Sequence, residues 1–153
     1  MNENDQFFQR AIEAGVIPAG TMLTSAYTMG GSQEEQDDLA ALVLAGTKTA
    51  TSSGFEIYAQ AHEPLPQAGN FDIIQNSRGE PVALIATDHV EIRSFASVDE
   101  THAFREGEGD RSLAYWRKVH LPFFTKDYQE AGLTFDPARS MVVLESFHVI
   151  YSH

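Results

Sequence analysis

Apolar residues recur along this chain at two spacings, and the switch between them marks out the elements. Residues 4–14 carry Phe7, Phe8 and Ile12 at helical spacing before Gly15, which predicts a helix. Pro18-Ala19-Gly20 is a turn signal, and the polar-rich stretch from Met22 to Met29 breaks at Gly30-Gly31. Ser32 followed three places later by Glu35 has the pattern of a capping box. Leu39, Leu42 and Val43 then form a stripe, so a helix is predicted over 33–45, with Gly46 at its C-terminal end. Thr47 to Tyr58, rich in Thr and Ser, predicts a strand. Further strands are predicted at 71–75, 81–86 and 89–95, the first closed by the turn Asn76-Ser77-Arg78-Gly79. Asp99 is placed to cap a short helix through Phe104, and Asp110 another through His120, which Pro122 interrupts or restarts. Met141 to Tyr151 is a strong β run.

Strands in one block with helices before and after argue for an α+β fold rather than alternating βαβ units. The simplest packing is a small, curved, mostly antiparallel sheet or partial barrel flanked by helices. A length of 153 residues fits one domain. The absence of cysteine excludes disulfides, thiolate zinc sites and a thiol nucleophile. Apolar runs such as Met141-Val142-Val143-Leu144 fall far short of the roughly 18–20 residues that span a bilayer, so no membrane partner is expected. The N-terminus lacks the positive charge and apolar stretch of a signal peptide, and a cytoplasmic location is expected. The terminal β run and exposed aromatics are compatible with a homodimer without requiring one.

Charge narrows the choice of partner. Ten Lys and Arg stand against 22 Asp and Glu, a net charge of −12. Duplex binding driven by counterion release usually needs the opposite balance. Yet Arg105, Arg111, Arg117, Lys118 and Lys126 cluster. They form either a solvated mixed-charge face or a positive lobe for a small or single-stranded anion.

Three segments carry candidate chemistry. Lys48 and Thr51 lie where a helix gives way to a strand. The lysine there either serves the last helix carbonyls or activates and charge-pairs, with Thr51 as nucleophile or positioner. Glu106-Gly107-Glu108-Gly109-Asp110 alternates carboxylates with glycines. It is either a loop in which Asp110 caps the next helix, or an oxygen-ligand set for Mg²⁺ or Mn²⁺. Glu106 is its candidate general acid or base. Tyr115-Trp116-Arg117-Lys118-Val119-His120 mixes aromatic and basic residues. Leu113, Trp116 and His120 share a helical face, which is either core or a surface for stacking a nucleobase. The six histidines show no metal spacing of the HExxH or HxH kind.

Taken in order, these segments resemble the ASCH domain family, in the subgroup formerly catalogued as a domain of unknown function. The matching pieces are Asp38 to Thr51 (DLAALVLAGTKTAT), Pro64 to Gly69 (PLPQAG), Glu106 to Arg117 (EGEGDRSLAYWR) with His120 and Phe124, and Glu145 to Tyr151 (ESFHVIY). The resemblance implies a PUA-like β-barrel over 25–153, preceded by a helical extension over 1–24, and an RNA-directed role. It implies a ribonuclease acting on single-stranded RNA, in some members with a divalent metal; the alternating carboxylates make Glu108 and Asp110 the expected ligands of Mn or Mg here. It also implies, as the alternative, an amidohydrolase acting on a modified nucleoside such as N4-acetylcytidine. By the same resemblance Lys48, Thr51 and Glu106 are catalytic, the glutamate following His102-Ala103. Arg111, Tyr115, Trp116, Arg117 and His120 are then expected to bind substrate, whether RNA, nucleoside or nucleotide. A binding module without turnover is the third reading. The subgroup's tryptophan and Phe-Gly-Asp before the first long helix are replaced by Tyr27-Thr28-Met29-Gly30-Gly31.

Overall fold

Asn2 accepts a hydrogen bond from the Asp5 amide and starts helix α1 (Glu3–Glu13). In this computed structural model all residues from Met1 to His153 are described. Strand β1 (Ser25–Thr28) follows, then α2 (Gln33–Leu44), which Ser32 caps by accepting from the Glu35 amide at 3.1 Å, as the capping box predicts. Next come β2 (Ala50–Gly54), α3 (Phe55–Gln60), β3 (Phe71–Gln75) and β4 (Pro81–Ser94). A single helical turn at Phe95–Ser97 leads to α4 (Glu100–Glu106), α5 (Leu113–Glu130) and β5 (Met141–Ser152).

The strands form one mixed sheet in the order β1-β3-β4-β5-β2. β1 runs parallel to β3, while β3 with β4 and β2 with β5 are antiparallel. The class is α+β with a barrel-like sheet. No helix is long and apolar enough to cross a membrane.

Contacts divide the chain into two units. The first holds Met1–Lys48, Ala68–Asp88 and Phe147–His153. Its sheet is covered on both faces, because neighbouring strand residues point opposite ways. Ile73 and Leu84 pack with Phe7, Phe8 and Ala11 of α1. Ile74, Ala83 and Ile85 pack instead with Leu39 and Val43 of α2 and with Phe147.

The second unit holds Thr49–Gln67 and His89–Ser146. Its core joins Phe95, Trp116, Phe124, Tyr128, Phe135 and Val142. Burying each such side chain contributes about 1.5–3 kcal/mol. Glu56 fastens three elements: one carboxylate oxygen accepts from the Tyr128 hydroxyl at 2.6 Å, the other from the Met141 amide at 2.9 Å. Burial and Glu56 hold the Tyr128 hydroxyl pKa well above its ordinary value.

Four expectations are corrected. The strand predicted over Thr47–Tyr58 ends at Gly54 and becomes α3, whose Glu56 is satisfied by distant partners. The strands at 81–86 and 89–95 are one strand, β4. The polar-rich 22–29 stretch contains β1, held by pairing with β3. Helix α5 continues through Pro122 to Glu130, and its cap is Ser112, which accepts from the Tyr115 amide, rather than Asp110.

Candidate active site

Asp99 caps α4 by accepting from the His102 amide at 3.0 Å. That bond is the main cause holding the Asp99 pKa below the usual carboxylate range. Seven residues of helix then place His102 and Glu106 one turn apart on the same face. Gly107, at φ 75°, ends the helix in the left-handed conformation that suits glycine. The Thr49 amide donates to the Arg105 carbonyl at 2.7 Å and so ties the last turn of α4 to the approach to β2.

Glu106 is only 1% exposed, and a carboxylate that deep is costly unless donors surround it. Its Oε2 accepts from Ser52 Oγ at 2.8 Å, His102 Nε2 at 2.7 Å and Trp116 Nε1 at 2.6 Å. His120 Nε2 stands 3.6 Å from Oε1. The His120 ring stacks on Trp116 with centroids 4.4 Å apart, and its Nδ1 donates to the Trp116 carbonyl at 2.8 Å. Burial works to lower the His120 pKa, but the Glu106 carboxylate, the Trp116 carbonyl and Glu108 together raise it above the ordinary value. A carboxylate only accepts, so the tautomer that fits this contact has His102 donating through Nε2.

His102 also lines a cleft of about 160 Å³, together with His89, Arg93, Asp99, Arg105 and Glu145. His89 and Arg93 stand four residues apart on β4, on the same face by the two-residue alternation of a strand. The cleft therefore gathers two imidazoles and two guanidinium groups with the carboxylates of Glu91, Asp99 and Glu145; Arg93 donates to Glu91 and, at 3.4 Å, to Asp99, and Glu106 lies behind His102.

The residues singled out in the sequence separate into groups. Glu106 and His120 come together as just described. Lys48 is buried at the end of the first unit, its amide donating to the Leu42 carbonyl at 3.0 Å. Thr51 is half-buried on β2, paired in register with Glu145. Its neighbour Ser52 is the one that donates to Glu106.

The indole of Trp116, 2% exposed, packs against His120 and Phe95, which corrects the expectation that it stacks a base. Arg117 is likewise not turned to a phosphate: its guanidinium donates to the carbonyls of Phe95, Ala96 and Val98 at 2.8, 2.9 and 3.0 Å and straps the turn after β4. The Tyr115 ring lies so close to Gly109 that no side chain fits there. Arg111, at φ 65°, stacks its guanidinium on Phe104.

Glu106, Glu108 and His120 each bring one ligand atom to within 4.8 Å of the others. Two carboxylate oxygens and an imidazole nitrogen suit Mn²⁺ or a similar divalent ion. The bond from His120 Nδ1 to a carbonyl is the usual outer support for such a ligand. Asp110 lies outside this group. It is exposed and accepts from the Ser112 amide at 2.9 Å, and bonds from Ser112 lower its pKa. Of the pair expected from sequence, Glu108 has ligand atoms of Glu106 and His120 within reach of a single ion, and Asp110 is not in that group.

Four site residues, His102, His89, Arg93 and Ser52, escaped the sequence reading. His102 carried a usable signal, since it stands four residues before Glu106, the spacing of one helical turn just beyond the predicted helix. His89 shows only strand alternation with Glu91 and Arg93. Ser52 cannot be told from Thr51 without knowing which face of β2 points to α4.

The ASCH domain family model matches residues 25–151. Among solved structures, an ASCH domain from Lactobacillus crispatus superposes with a TM-score of 0.90 at 31% identity, over 99% of this chain and 96% of that one. A DUF984 protein from Enterococcus faecalis gives 0.86 at 34% identity, over 95% of this chain and 86% of that one. A hypothetical protein at 15% identity and a TM-score of 0.51, over 82% of this chain and 95% of that one, shares the fold alone. No curated protein matches.

Proposed function

The chain belongs to the ASCH domain family, a PUA-like fold associated with RNA binding, and on that premise we propose that it is a ribonuclease cleaving single-stranded RNA. One observation carries the reading: His102 and His89 line a single cleft with Arg93 and Arg105, and the buried Glu106 carboxylate holds His102. Those groups are what attack by a ribose 2′-hydroxyl requires.

His102 Nδ1 takes the proton of the 2′-hydroxyl as the 2′-oxygen bonds to phosphorus. Glu106 fixes the ring and stabilises the imidazolium that forms. Arg93 and Arg105 balance the charge that grows on the phosphoryl oxygens. The bond from phosphorus to the 5′-oxygen breaks, and His89, as general acid, delivers the proton with which that oxygen leaves. The products are a 2′,3′-cyclic phosphate and a 5′-hydroxyl. Ser52 and Trp116 are positioning residues for Glu106. Lys48 and Thr51, catalytic by the family resemblance, are assigned charge stabilisation and orientation in this reading. A divalent ion on Glu106, Glu108 and His120 would supply Lewis-acid polarisation of a phosphoryl oxygen. The net charge of −12 is compatible with a footprint of a few nucleotides.

The test is a cleavage time course on end-labelled single-stranded RNA, wild type beside His102→Gln, Glu106→Gln and Lys48→Ala, with Mn²⁺ or EDTA. Rates down about 100-fold or more in the His102 and Glu106 variants support the reading. Equal rates in all four preparations point to a contaminating nuclease and sink it.

The size of the cleft favours one second reading, since about 160 Å³ holds a single base rather than a run of nucleotides. In an amidohydrolase on a modified nucleoside, Lys48 would activate the Thr51 hydroxyl and Glu106 would protonate the leaving amine. Acetate release from N4-acetylcytidine with RNA left intact would select it. Binding with neither turnover would leave a nucleotide-sensing module.

A further inference from the structure

Beside the cleft, on the same helix, lies an open groove of about 490 Å³ lined by Glu100, Thr101, Phe104, Arg111, Ser112 and Leu113. Thr101 lines both depressions, so the two adjoin along α4. Phe104 is 55% exposed, a large aromatic turned to solvent two residues from the most buried carboxylate of the chain. The Arg111 guanidinium carbon sits 3.6 Å from the centroid of its ring. Arg111 Nε is pinned to the Phe104 carbonyl at 3.0 Å, and the residue holds a left-handed backbone that non-glycine residues seldom adopt. The Arg111 guanidinium is thus held over the Phe104 ring within the lining of the groove.

We infer that the Phe104–Arg111 pair is a stacking platform for a nucleobase of single-stranded RNA, the one flanking the nucleotide held in the cleft. Bases stack on aromatic rings and on guanidinium planes, and the cation adds to the attraction. Trp116, the aromatic that the sequence offers for this task, is buried under His120, whereas Phe104 is accessible. Glu100 on the groove wall repels a phosphate but accepts from an exocyclic amine, so the groove suits the base rather than the backbone. The inference rests on the RNA reading of the cleft and extends it from one nucleotide to two.

The experiment uses a His102→Gln background, in which the RNA stays intact, and measures fluorescence anisotropy with a labelled mononucleotide and a labelled hexanucleotide. Phe104→Ala is expected to weaken hexanucleotide binding about tenfold and leave mononucleotide binding unchanged. Phe104→Trp should restore the affinity, which a merely structural role would not predict. Arg111→Lys, keeping the charge and losing the plane, should weaken the hexanucleotide as well. Tight hexanucleotide binding that is equal in Phe104→Ala, Phe104→Leu and the parent overturns the platform alone. Failure of the parent to bind RNA of either length overturns the RNA reading of the cleft and the platform with it. A loss of self-association in Phe104→Ala, with RNA binding intact, would assign the groove to a second copy of the chain and overturn the proposal.

Discussion

Replacing Glu106 separates its structural role from its chemical one. Ser52, His102 and Trp116 all donate to its Oε2, and hydrogen bonds to a charged group are each worth about 1.5–3 kcal/mol against about 0.5–1.5 for neutral ones. In Glu106→Gln the amide oxygen can keep the three donors, at a gross loss of about 1 kcal/mol each. Removing a buried charge returns several kcal/mol of desolvation and offsets much of this. The variant should therefore stay within about 2 kcal/mol of wild type in a urea melt. Glu106→Ala leaves three buried donors without an acceptor, at about 1–3 kcal/mol each, and adds a cavity. It should lose about 4 kcal/mol or more, a large share of the stability of a domain this size. The rate of RNA cleavage per folded molecule should fall about 10²- to 10⁴-fold in Glu106→Gln, because the His102 ring keeps its hydrogen bond but loses the charge that supports the imidazolium. An Ala variant as stable as wild type would refute the hydrogen-bond account. A folded Gln variant with an unchanged rate would refute the catalytic one.

Other outcomes follow from the same geometry. Arg117→Ala removes three bonds to the carbonyls of Phe95, Ala96 and Val98 and should cost about 2–4 kcal/mol in a urea melt, with the cleavage rate per folded molecule unchanged. Burial pushes the Asp72 pKa above its ordinary 3.8, against the bond from Ser25, so the folded state holds that proton more tightly than the unfolded one. Its contribution is most favourable below 3.8 and is lost as pH rises through the raised value. Asp72→Asn should therefore gain on wild type between pH 4 and pH 7 in paired urea melts. In calorimetric titration with Mn²⁺, Glu108→Ala should lose binding that Asp110→Ala retains, since Asp110 lies outside the ligand group.

What the sequence made legible was what local rules control. The capping box at Ser32 and Glu35, the stripe of α2 and Gly46 after it act within a few residues, and each appears where expected. β1 was hidden because Ser25–Thr28 has little apolar pattern and takes its strand state from parallel pairing with β3, some 47 residues away. α3 was hidden for a similar reason, as Glu56 is satisfied by Tyr128 and Met141. Pro122 removes one helix bond, yet burial of Phe124 and Tyr128 beyond it keeps α5 running. In the candidate site, Glu106 stood out as a carboxylate between a helix and a glycine. Whether Trp116 faced a ligand or the core was not written in its spacing, because a helical face looks the same in either case. The histidines looked ordinary one by one. Only the meeting of α4, β2 and α5 makes His102 part of a dyad.

The central claim, acid–base attack by a ribose 2′-hydroxyl, is tested most directly with an oligodeoxynucleotide that carries a single ribonucleotide. The account predicts one cut, on the 3′ side of that ribose, leaving a 2′,3′-cyclic phosphate, and no cut when wild type is exchanged for His102→Gln. Cleavage at deoxyribose linkages, or at the ribose with equal speed in the His102 variant, would contradict it.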